Sequence, residues 1–255
     1  MTLAAIEKDE LTGLYTRQAF YHHARTFTHF MTEEKFNVVI LDVADFKLIN
    51  GTYGTKKGNE VLVYLSNAFR YYVKNGLLTR YEGDQLLGLF HSKVKMDVER
   101  INRNINKIAE EAPIPNIRIK VGIYEDIDTS LSIPIICDRA LMAEKSISKD
   151  FKTNVAFYTD EMNQKQLAQR QMENDFKSAI ANREFKVYYQ PKYDVNTENI
   201  VGAEALVRWQ KPDGTLISPG AFIPLFESDG LVVHLDEYVF ENVCQFQKER
   251  MENKL

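Results

Sequence analysis

The sequence predicts an α+β fold for the first part of the chain, with an antiparallel or mixed sheet and helices on one side of it. Short apolar runs alternate with longer segments in which apolar residues recur at helical spacing. Strands and helices interleave, but not every connection forms a simple βαβ unit. At 255 residues the chain is also long for one compact domain, so a second domain is expected.

The elements of this first domain follow from the periodicity of the apolar residues. Apolar runs bounded by turn residues predict strands and one hairpin. These strands cover residues 36–42, 117–124 and 155–158, and the hairpin covers residues 77–91. Apolar residues on one helical face predict helices at residues 58–74, 94–111 and 133–148.

A change in composition marks the boundary to the second domain. Residues 160–182 are polar and carry their apolar side chains on one helical face, which predicts a connecting helix. Two strands are expected from residue 185 onward, on either side of a turn at residues 196–199, and a helix at residues 235–254. The predicted division is a first domain at 1–158, the connecting helix at 159–183 and a second domain at 184–255.

Composition excludes several classes of function. Hydrophobic residues make up 44% of the chain and no apolar run approaches the ~20 residues that a membrane span requires, so no membrane segment is expected. The net charge of −4 argues against a nucleic-acid polymer as partner, but leaves room for a small anionic ligand. Cys137 and Cys244 lie in helical patterns, which makes a disulfide framework improbable and favours a reducing, cytoplasmic compartment.

Carboxylates lie where a first metal site could form. Asp42 comes at the end of a predicted strand, where a helix begins, and Asp84 lies in the predicted hairpin. Mg²⁺ takes a few hard oxygen ligands from the protein and keeps water or phosphate for the rest, so two carboxylates are enough. The alternative is that Asp42 caps the following helix and Asp84 only forms the hairpin turn.

Four motifs in order give the first domain a family resemblance. The run R-Y-E-G-D-Q-L at residues 80–86 resembles R-Y-G-G-D-E-F, the signature of the GGDEF family of diguanylate cyclases. Residues 9–17 resemble the family's D-x-L-T-G-L-x-N-R opening, and residues 42–50 resemble D-I-D-x-F-K-x-I-N. Glycines and a leucine then follow the spacing of a further motif, at Gly54, Gly58 and Leu62. The resemblance covers residues 9–158 and implies a GGDEF palm, whose members join two GTP molecules into cyclic di-GMP.

The resemblance implies a role for particular residues of this chain. Asp42 and the Val43 carbonyl would hold the metal, and Asp84 would hold metal or deprotonate the 3′-hydroxyl. Asn50 and Asn59 would contact guanine, and the phosphates would meet two lysines, Lys47 and Lys145. Taken alone, each lysine reads as a solvated charge on a helix surface.

The departures from the family pattern weaken the predicted site. Ala44, Gly51 and Gln85 each replace an acid, which reduces the attraction for Mg²⁺. Glu82 replaces a glycine that lets backbone approach the triphosphate, and Asn59 replaces an acceptor for guanine with a carboxamide. Phosphoryl transfer depends on electrostatic placement, so we expect cyclase activity to be absent or vestigial, with Asp84 a remnant of the catalytic machinery.

The second domain resembles the opening of EAL-type cyclic di-GMP phosphodiesterases. The matching segments are Y-Q-P at residues 189–191, G-A-E-A-L-V-R-W at 202–209, I-S-P at 217–219 and F-I-P at 222–224. By resemblance, Glu204 at the end of a strand would be a metal ligand, and Gln190 and Arg208 would contact the dinucleotide. The structural alternative is a plain ion pair between Glu204 and Arg208.

The second domain is expected to be an incomplete (β/α)₈ barrel. Such a barrel needs about 250 residues, whereas the resemblance begins only at residue 185. We therefore expect a piece of a longer protein, with a sensor segment upstream and further EAL residues downstream. The open barrel edge should pack on the first domain or form a homodimer.

The sequence thus favours a bacterial cyclic di-GMP signalling protein. Its degenerate GGDEF domain would bind GTP or cyclic di-GMP weakly, with Mg²⁺ or Mn²⁺ held weakly at best, and would regulate the EAL part. One alternative is a slow but active diguanylate cyclase. The other is a dimerisation platform that binds no nucleotide.

Overall fold

The chain forms two compact units in the computed structural model. The structure describes residues 7–29, 35–91, 95–147 and 153–253. One unit comprises residues 1–163 and the other residues 164–255, so the division falls within a single helix. The predicted domain limits at 158/159 and 183/184 remain a prediction. Residues 94, 148 and 254, at which three helices were predicted to begin or end, lie outside the described residues.

The first unit contains six strands and five complete helices among the residues that the structure describes. The strands are β1 (Tyr15–Thr16), β2 (Phe36–Val43), β3 (Leu77–Glu82), β4 (Gln85–His91), β5 (Ile119–Tyr124) and β6 (Val155–Phe157). The helices are α1 (Arg17–His29), α2 (Phe46–Tyr53), α3 (Thr55–Tyr72), α4 (Val98–Glu110) and α5 (Ile133–Lys145). Helix α6 (Asp160–Ala181) follows, as the polar composition predicts.

The six strands form one mixed sheet in the order β1-β3-β4-β2-β5-β6. β1 and β3 are parallel, as are β5 and β6, and the central pairs are antiparallel. The α+β class with a mixed sheet is therefore confirmed. The central strand β2 is buried along nearly its whole length.

Helices cover both faces of this sheet, so the expectation that they lie on one side was wrong. Along β2, Val39 and Leu41 pack in a cluster with residues of α3 and α4. Val38 and Ile40, which alternate with them, pack in a second cluster with residues of α1 and α5. The physical reason is visible in β2, whose apolar residues are continuous rather than alternating, as in strands that are buried on both faces.

Among its described residues, the second unit contains a three-stranded antiparallel sheet, the larger part of α6 and two further helices. The strands are β7 (Phe185–Tyr193), β8 (Ile200–Gln210) and β9 (Leu216–Ile217), and α7 (Pro219–Ser228) and α8 (Val232–Glu252) follow. The side chain of Asp194 accepts hydrogen bonds from Asn196 N–H and Thr197 N–H and so closes the predicted turn between β7 and β8.

An aromatic core holds this second unit together. Trp209 on β8 is fully buried and packs against residues of β7 and α7. The fully or nearly fully buried members are Phe176, Ala179, Phe185, Trp209, Phe222, Phe226 and Leu235. Within the described ranges of both units, no helix combines the length and the apolar character needed to cross a membrane.

Candidate functional site

The first candidate site lies where β2 ends beside the hairpin of β3 and β4. Asp42 is the penultimate residue of β2, and Asp84 occupies the turn that joins β3 to β4. Burial raises the pKa of Asp84, and the negative charge of Asp42 raises it further. The backbone N–H groups of Asp84 and Val43 act to lower the pKa of the Asp84 carboxyl. The structure therefore brings Asp42, Val43 and Asp84 together, and we call this place the Asp42 corner.

The hairpin turn explains why Asp84 can reach the strand. Glu82 and Gln85 pair across the hairpin, which leaves Gly83 and Asp84 as the two turn residues. Gly83 has φ of +56°, a conformation that glycine adopts without steric cost. Asp42, by contrast, does not cap α2, because the residue at the N-cap is Asp45. The alternative in which Asp42 is a helix cap is therefore excluded.

Two residues that the sequence analysis did not single out enter the same corner. Lys120 lies on β5 opposite Asp42, and its Nζ is 3.3 Å from Asp42 Oδ2. The same ammonium donates a hydrogen bond to Glu144 of α5, whose side chain is only 2% exposed. Lys120 thus bridges a strand carboxylate and a helix carboxylate.

The pKa directions in this group follow from burial and pairing. Burial lowers the pKa of Lys120, but the hydrogen bond and charge of Glu144, together with Asp42, outweigh it and raise that pKa overall. Burial raises the pKa of Glu144, and the hydrogen bond from Lys120 opposes this. Lys120 is consequently a firmly charged ammonium at neutral pH, because its pKa lies above an already basic usual value.

The neighbouring hairpin residues are engaged in contacts of their own. Arg80 lies 3.2 Å from Asp9 Oδ2 and also donates to the Gly83 carbonyl at 2.8 Å, so it ties the D-x-L-T-G-L segment to the hairpin. The exposed Glu82 carboxylate lies 3.7 Å from Arg17. The repulsion expected between Glu82 and a triphosphate is therefore partly neutralised by an adjacent cation.

Asn50, one of the predicted guanine contacts, lies on α2 and packs against α3. Its side chain packs directly on the backbone of Gly58, where an added Cβ would come within 2.0 Å of Asn50 Oδ1. That oxygen is buried and has no hydrogen-bond partner. A buried acceptor without a partner is costly, which makes Asn50 Oδ1 a candidate to accept a hydrogen bond from a ligand.

The side chains of the other predicted nucleotide contacts are more exposed to solvent than Asn50 Oδ1. Asn59, at the start of α3, is half-buried and lines a shallow concavity of about 510 Å³ with Leu11, Lys56 and Tyr64. Lys47 and Lys145 are both exposed, the first on α2 and the second at the end of α5. Their roles at phosphate remain predictions.

The second candidate site lies on one face of the β7–β8 pair. Gln190 and Glu204 are direct partners in the antiparallel register, and Arg208 lies on the same face two alternate positions further along β8. Glu204 is exposed and lies 3.4 Å from Lys192, while Arg208 donates to the Val207 carbonyl. The structure thus brings Gln190 and Glu204 together, but pairs Glu204 with Lys192.

One sequence expectation about this face was wrong. Glu204 was expected at the end of a strand, where (β/α)₈ enzymes carry their ligands, but β8 runs on to Gln210. The reason is that the pairing with β7 continues from Glu204 to Trp209 without a break. Glu204 therefore lies in the middle of a long hairpin strand.

The donors at these two places fit a divalent metal only incompletely. Across the described parts of the chain, no three side chains of His, Cys, Asp or Glu form a group that could hold a metal ion. At the Asp42 corner the two carboxylates are accompanied by an ammonium, which is itself a cation and no metal ligand. We therefore derive no chemical step through a metal at this corner.

Sequence signals for Lys120 and Glu144 do exist. Lys120 interrupts an apolar strand, and Glu144 lies on the apolar face of α5, four residues after the buried Ala140. A charged residue at a buried position requires a partner of opposite charge. The opposite charges of Lys120 and Glu144 could have suggested an ion pair. Only the register of β2 and β5 shows that Asp42 also contacts Lys120.

The mixed sheet, the acidic strand end and the hairpin turn place the first unit in the class of α+β palm domains. The family model described as "Diguanylate cyclase, GGDEF domain" matches residues 6–148, more than half of the chain. The chain belongs to the GGDEF family. The model described as "EAL domain" matches residues 173–255, so a GGDEF segment is followed by an EAL segment, as the motifs indicate. Domains of these two families generally depend on divalent metals.

Two curated relatives have names that refer to cyclic di-GMP. The chain is 28% identical over 223 residues to the "Bifunctional diguanylate cyclase/cyclic di-GMP phosphodiesterase MucR" of Pseudomonas aeruginosa, covering 84% of this chain and 32% of the relative. It is 28% identical over 250 residues to the "Cyclic di-GMP phosphodiesterase PdeR" of Escherichia coli, covering 93% of this chain and 37% of the relative. The chain therefore spans about a third of the length of these relatives.

Solved structures agree with the fold. The S helix-GGDEF-EAL structure of LapD from Vibrio cholerae, bound to c-di-GMP, matches with a TM-score of 0.55 and 19% identity, covering 95% of this chain and 58% of that chain. The GGDEF domain of PA1120 from Pseudomonas aeruginosa matches with a TM-score of 0.50 and 20% identity, covering 62% and 97%. At these identities the likeness concerns the fold alone.

Proposed function

We propose that this chain is part of a bacterial cyclic di-GMP signalling protein. Its degenerate GGDEF unit would bind a guanine nucleotide weakly and regulate the attached EAL segment, without making cyclic di-GMP itself. The proposal is supported by the order of the two segments and by the names of the relatives, one a bifunctional cyclase and phosphodiesterase and the other a phosphodiesterase. In this reading the nucleotide is a regulator and GTP is the leading candidate.

The observation that carries the binding proposal is the buried, unpartnered Oδ1 of Asn50. Guanine presents N1–H and N2–H groups, and a carboxamide oxygen can accept from one of them. The neighbouring Asn59 supplies a second polar group at the start of α3, beside the open concavity. Exposed Lys47 and Lys145 would then contact the phosphates, and Mg²⁺ or Mn²⁺ would be held weakly at best because the corner offers few free carboxylates.

The charges at the Asp42 corner support the proposed loss of cyclase activity. Transition states of phosphoryl transfer are stabilised almost entirely by positioned charges, above all by metal ions and their carboxylate ligands. Here Ala44 and Gln85 supply no carboxylate, and Asp42 is already in contact with an ammonium. A bound nucleotide would therefore persist rather than react.

Calorimetric titration with a non-hydrolysable GTP analogue tests the proposal. We expect weak saturable heat that is lost in Asn50→Ala and kept in Asn106→Ala, an exposed asparagine of α4. The corresponding non-hydrolysable analogue of ATP should give no comparable heat, because adenine lacks the N1–H and N2–H groups of guanine. If neither heat nor a thermal shift appears with millimolar GTP analogue, the regulatory proposal fails and the dimerisation platform becomes the better reading.

A second candidate is a slow diguanylate cyclase, and one observation favours it. Asp84 lies beside Asp42, and its pKa is raised by burial and by that neighbour, which is the direction that suits a general base. Cyclic di-GMP accumulating from GTP and Mg²⁺, and lost in Asp84→Ala, would support this candidate over the first.

A further inference from the structure

The Asp42 corner already contains a cation that belongs to the protein. Lys120 reaches this corner from β5, whose register places it directly opposite Asp42 on β2. Its Nζ lies 3.3 Å from Asp42 Oδ2, and both side chains are largely buried, at 21% and 15% exposure. Low exposure strengthens the attraction between these charges, because little water screens it.

Glu144 fixes the position of this ammonium. Lys120 donates a hydrogen bond to Glu144, and Glu144 is almost completely buried. A buried carboxylate of this kind needs a charged or hydrogen-bonding partner, so removal of Lys120 alone would leave an uncompensated charge. Lys120 is therefore anchored by Glu144 whether or not Asp42 is engaged.

The packing of α5 on β5 leaves Glu144 little freedom to move away. Gly122 lies two residues after Lys120, and a Cβ there would come within 2.2 Å of the Ala140 carbonyl and 2.4 Å of Glu144 N. The backbones of strand and helix thus touch at this glycine. Because Glu144 is held in place, Lys120 loses little additional side-chain freedom when it contacts Asp42.

A divalent metal and this ammonium compete for the same carboxylate. Mg²⁺ and Mn²⁺ bind hard anionic oxygens, and each oxygen that already accepts from an ammonium is a poorer ligand. A metal ion beside Asp42 would also lie close to the positive charge of Lys120.

We propose that Lys120, positioned by Glu144, is a built-in cation that occupies Asp42 and thereby keeps divalent metal out of this corner. Lys120 is in this sense a specificity-determining residue, because it favours an ammonium over a divalent metal as the partner of the Asp42 carboxylate. The inference deepens the proposed function, since it gives a cause for the missing cyclase chemistry, and its relevance to nucleotide rests on that function. The contact between Lys120 and Asp42 is observed in the structure and does not rest on the proposed function.

Binding of Mn²⁺ alone, followed by electron paramagnetic resonance of the free ion, tests the proposal without any nucleotide. In the double variant Lys120→Met/Glu144→Gln both charges of the anchored pair disappear together, and Asp42 is released. We expect this variant to bind Mn²⁺ at least about tenfold more tightly than the unaltered chain. Adding Asp42→Asn to it should return the affinity to the original weak level.

A matched control removes an ion pair elsewhere in the same unit. Lys35 and Asp126 form an exposed pair, and Lys35→Met/Asp126→Asn makes the same change in charge without touching the corner. This control should leave Mn²⁺ binding unchanged. Circular dichroism and thermal melting establish that each variant is folded.

Two results would overturn the proposal. One is a folded double variant that binds Mn²⁺ no more tightly than the unaltered chain. The other needs no double variant: Asp42→Asn in the unaltered chain should hardly change Mn²⁺ affinity, and a loss of about tenfold or more would show that Asp42 is a free metal ligand. Because no nucleotide is present, failure here is distinct from failure of the nucleotide titration.

Discussion

At the scale of single residues, the second unit depends on one buried hydrogen bond. Trp209 is fully buried, and its indole Nε1–H donates to Glu184 Oε2 at 2.9 Å. An indole has no other polar atom, so its burial is favourable only if this donor is satisfied. Glu184 is itself 9% exposed and is therefore nearly as buried as its partner.

We predict that Glu184→Ala lowers the free energy of unfolding of the second unit by about 1 to 3 kcal/mol, because it leaves the indole N–H without an acceptor. Glu184→Gln should cost less, since its amide oxygen can still accept. Trp209 is the only tryptophan of the chain, so its fluorescence reports the unfolding of this unit in urea. An unchanged midpoint for Glu184→Ala would show that the bond contributes nothing.

A second residue, Asp9, gives the first unit a dependence on pH. Burial raises the pKa of Asp9, but hydrogen bonds from Thr12 and the charge of Arg80 outweigh burial and leave that pKa below its usual range. An acid with a lowered folded-state pKa adds stability that is present above its unfolded pKa and is lost as pH falls through the folded value.

We therefore expect Asp9→Asn to reduce the free energy of unfolding at neutral pH by about 1 to 2 kcal/mol. The difference from the unaltered chain should shrink below about pH 4, near the usual pKa of an aspartate. Urea unfolding, followed by far-ultraviolet circular dichroism at neutral pH and below about pH 4, measures this difference in the free energy of unfolding. Glu10→Gln, which changes an exposed neighbour by the same charge, is the control, and an equal loss in both variants at neutral pH would refute the assignment.

The motifs of the sequence predicted which residues meet at the Asp42 corner, and the roles of these residues stay predictions. Asp42 and Asp84 are brought together as the linked motifs imply. The charge of Asp42 and the backbone N–H of Val43 both act on the pKa of Asp84. The pair of Lys120 and Glu144 was missed because it depends on a strand register and on a helix that packs across it. Neither follows from local spacing.

At the scale of elements, the close approach of α5 to β5 places the Asp42 corner. The contact occurs at Gly122, where any Cβ would overlap backbone atoms of the helix. Small residues on the helix side, Ala140 and Ala143, permit the same approach. This local contact is what brings Glu144 of the helix within reach of Lys120 on the strand.

Gly122→Ala should push α5 away from β5 and lower the free energy of unfolding of the first unit by about 1 to 3 kcal/mol. Gly51→Ala is the matched control, because a Cβ at Gly51 meets nothing within 4 Å. In helix α2 that substitution should be neutral or stabilising by roughly 0.5 to 1 kcal/mol. Urea unfolding by circular dichroism compares the two, and equal stability of both variants would contradict the packing argument.

Sequence patterns predicted most elements of the chain but not all of them. β2, the β3–β4 hairpin and α6 are where periodicity places them. Helix α7 was missed because it begins with Pro219 and contains Pro224, a residue that usually ends a helix. The helices on both faces were missed because a continuous apolar strand indicates double burial only when it is considered together with its neighbours.

At the scale of the whole molecule, two candidate sites lie in two units that fold around separate cores. In the first unit, Lys120 of the chain itself contacts Asp42 at the acidic corner. In the second, the partnered Gln190 and Glu204 lie on an open sheet face beside Lys192. Under the proposed function, the first of these places would hold a nucleotide without transforming it.

The most direct test of this account is the formation of cyclic di-GMP from GTP by the purified chain, measured by chromatography with Mg²⁺ and again with Mn²⁺. We predict no product above the level of an Asp84→Ala control, because the Asp42 corner lacks the free carboxylates that the reaction needs. Steady turnover of GTP to cyclic di-GMP that disappears in Asp84→Ala would contradict the account.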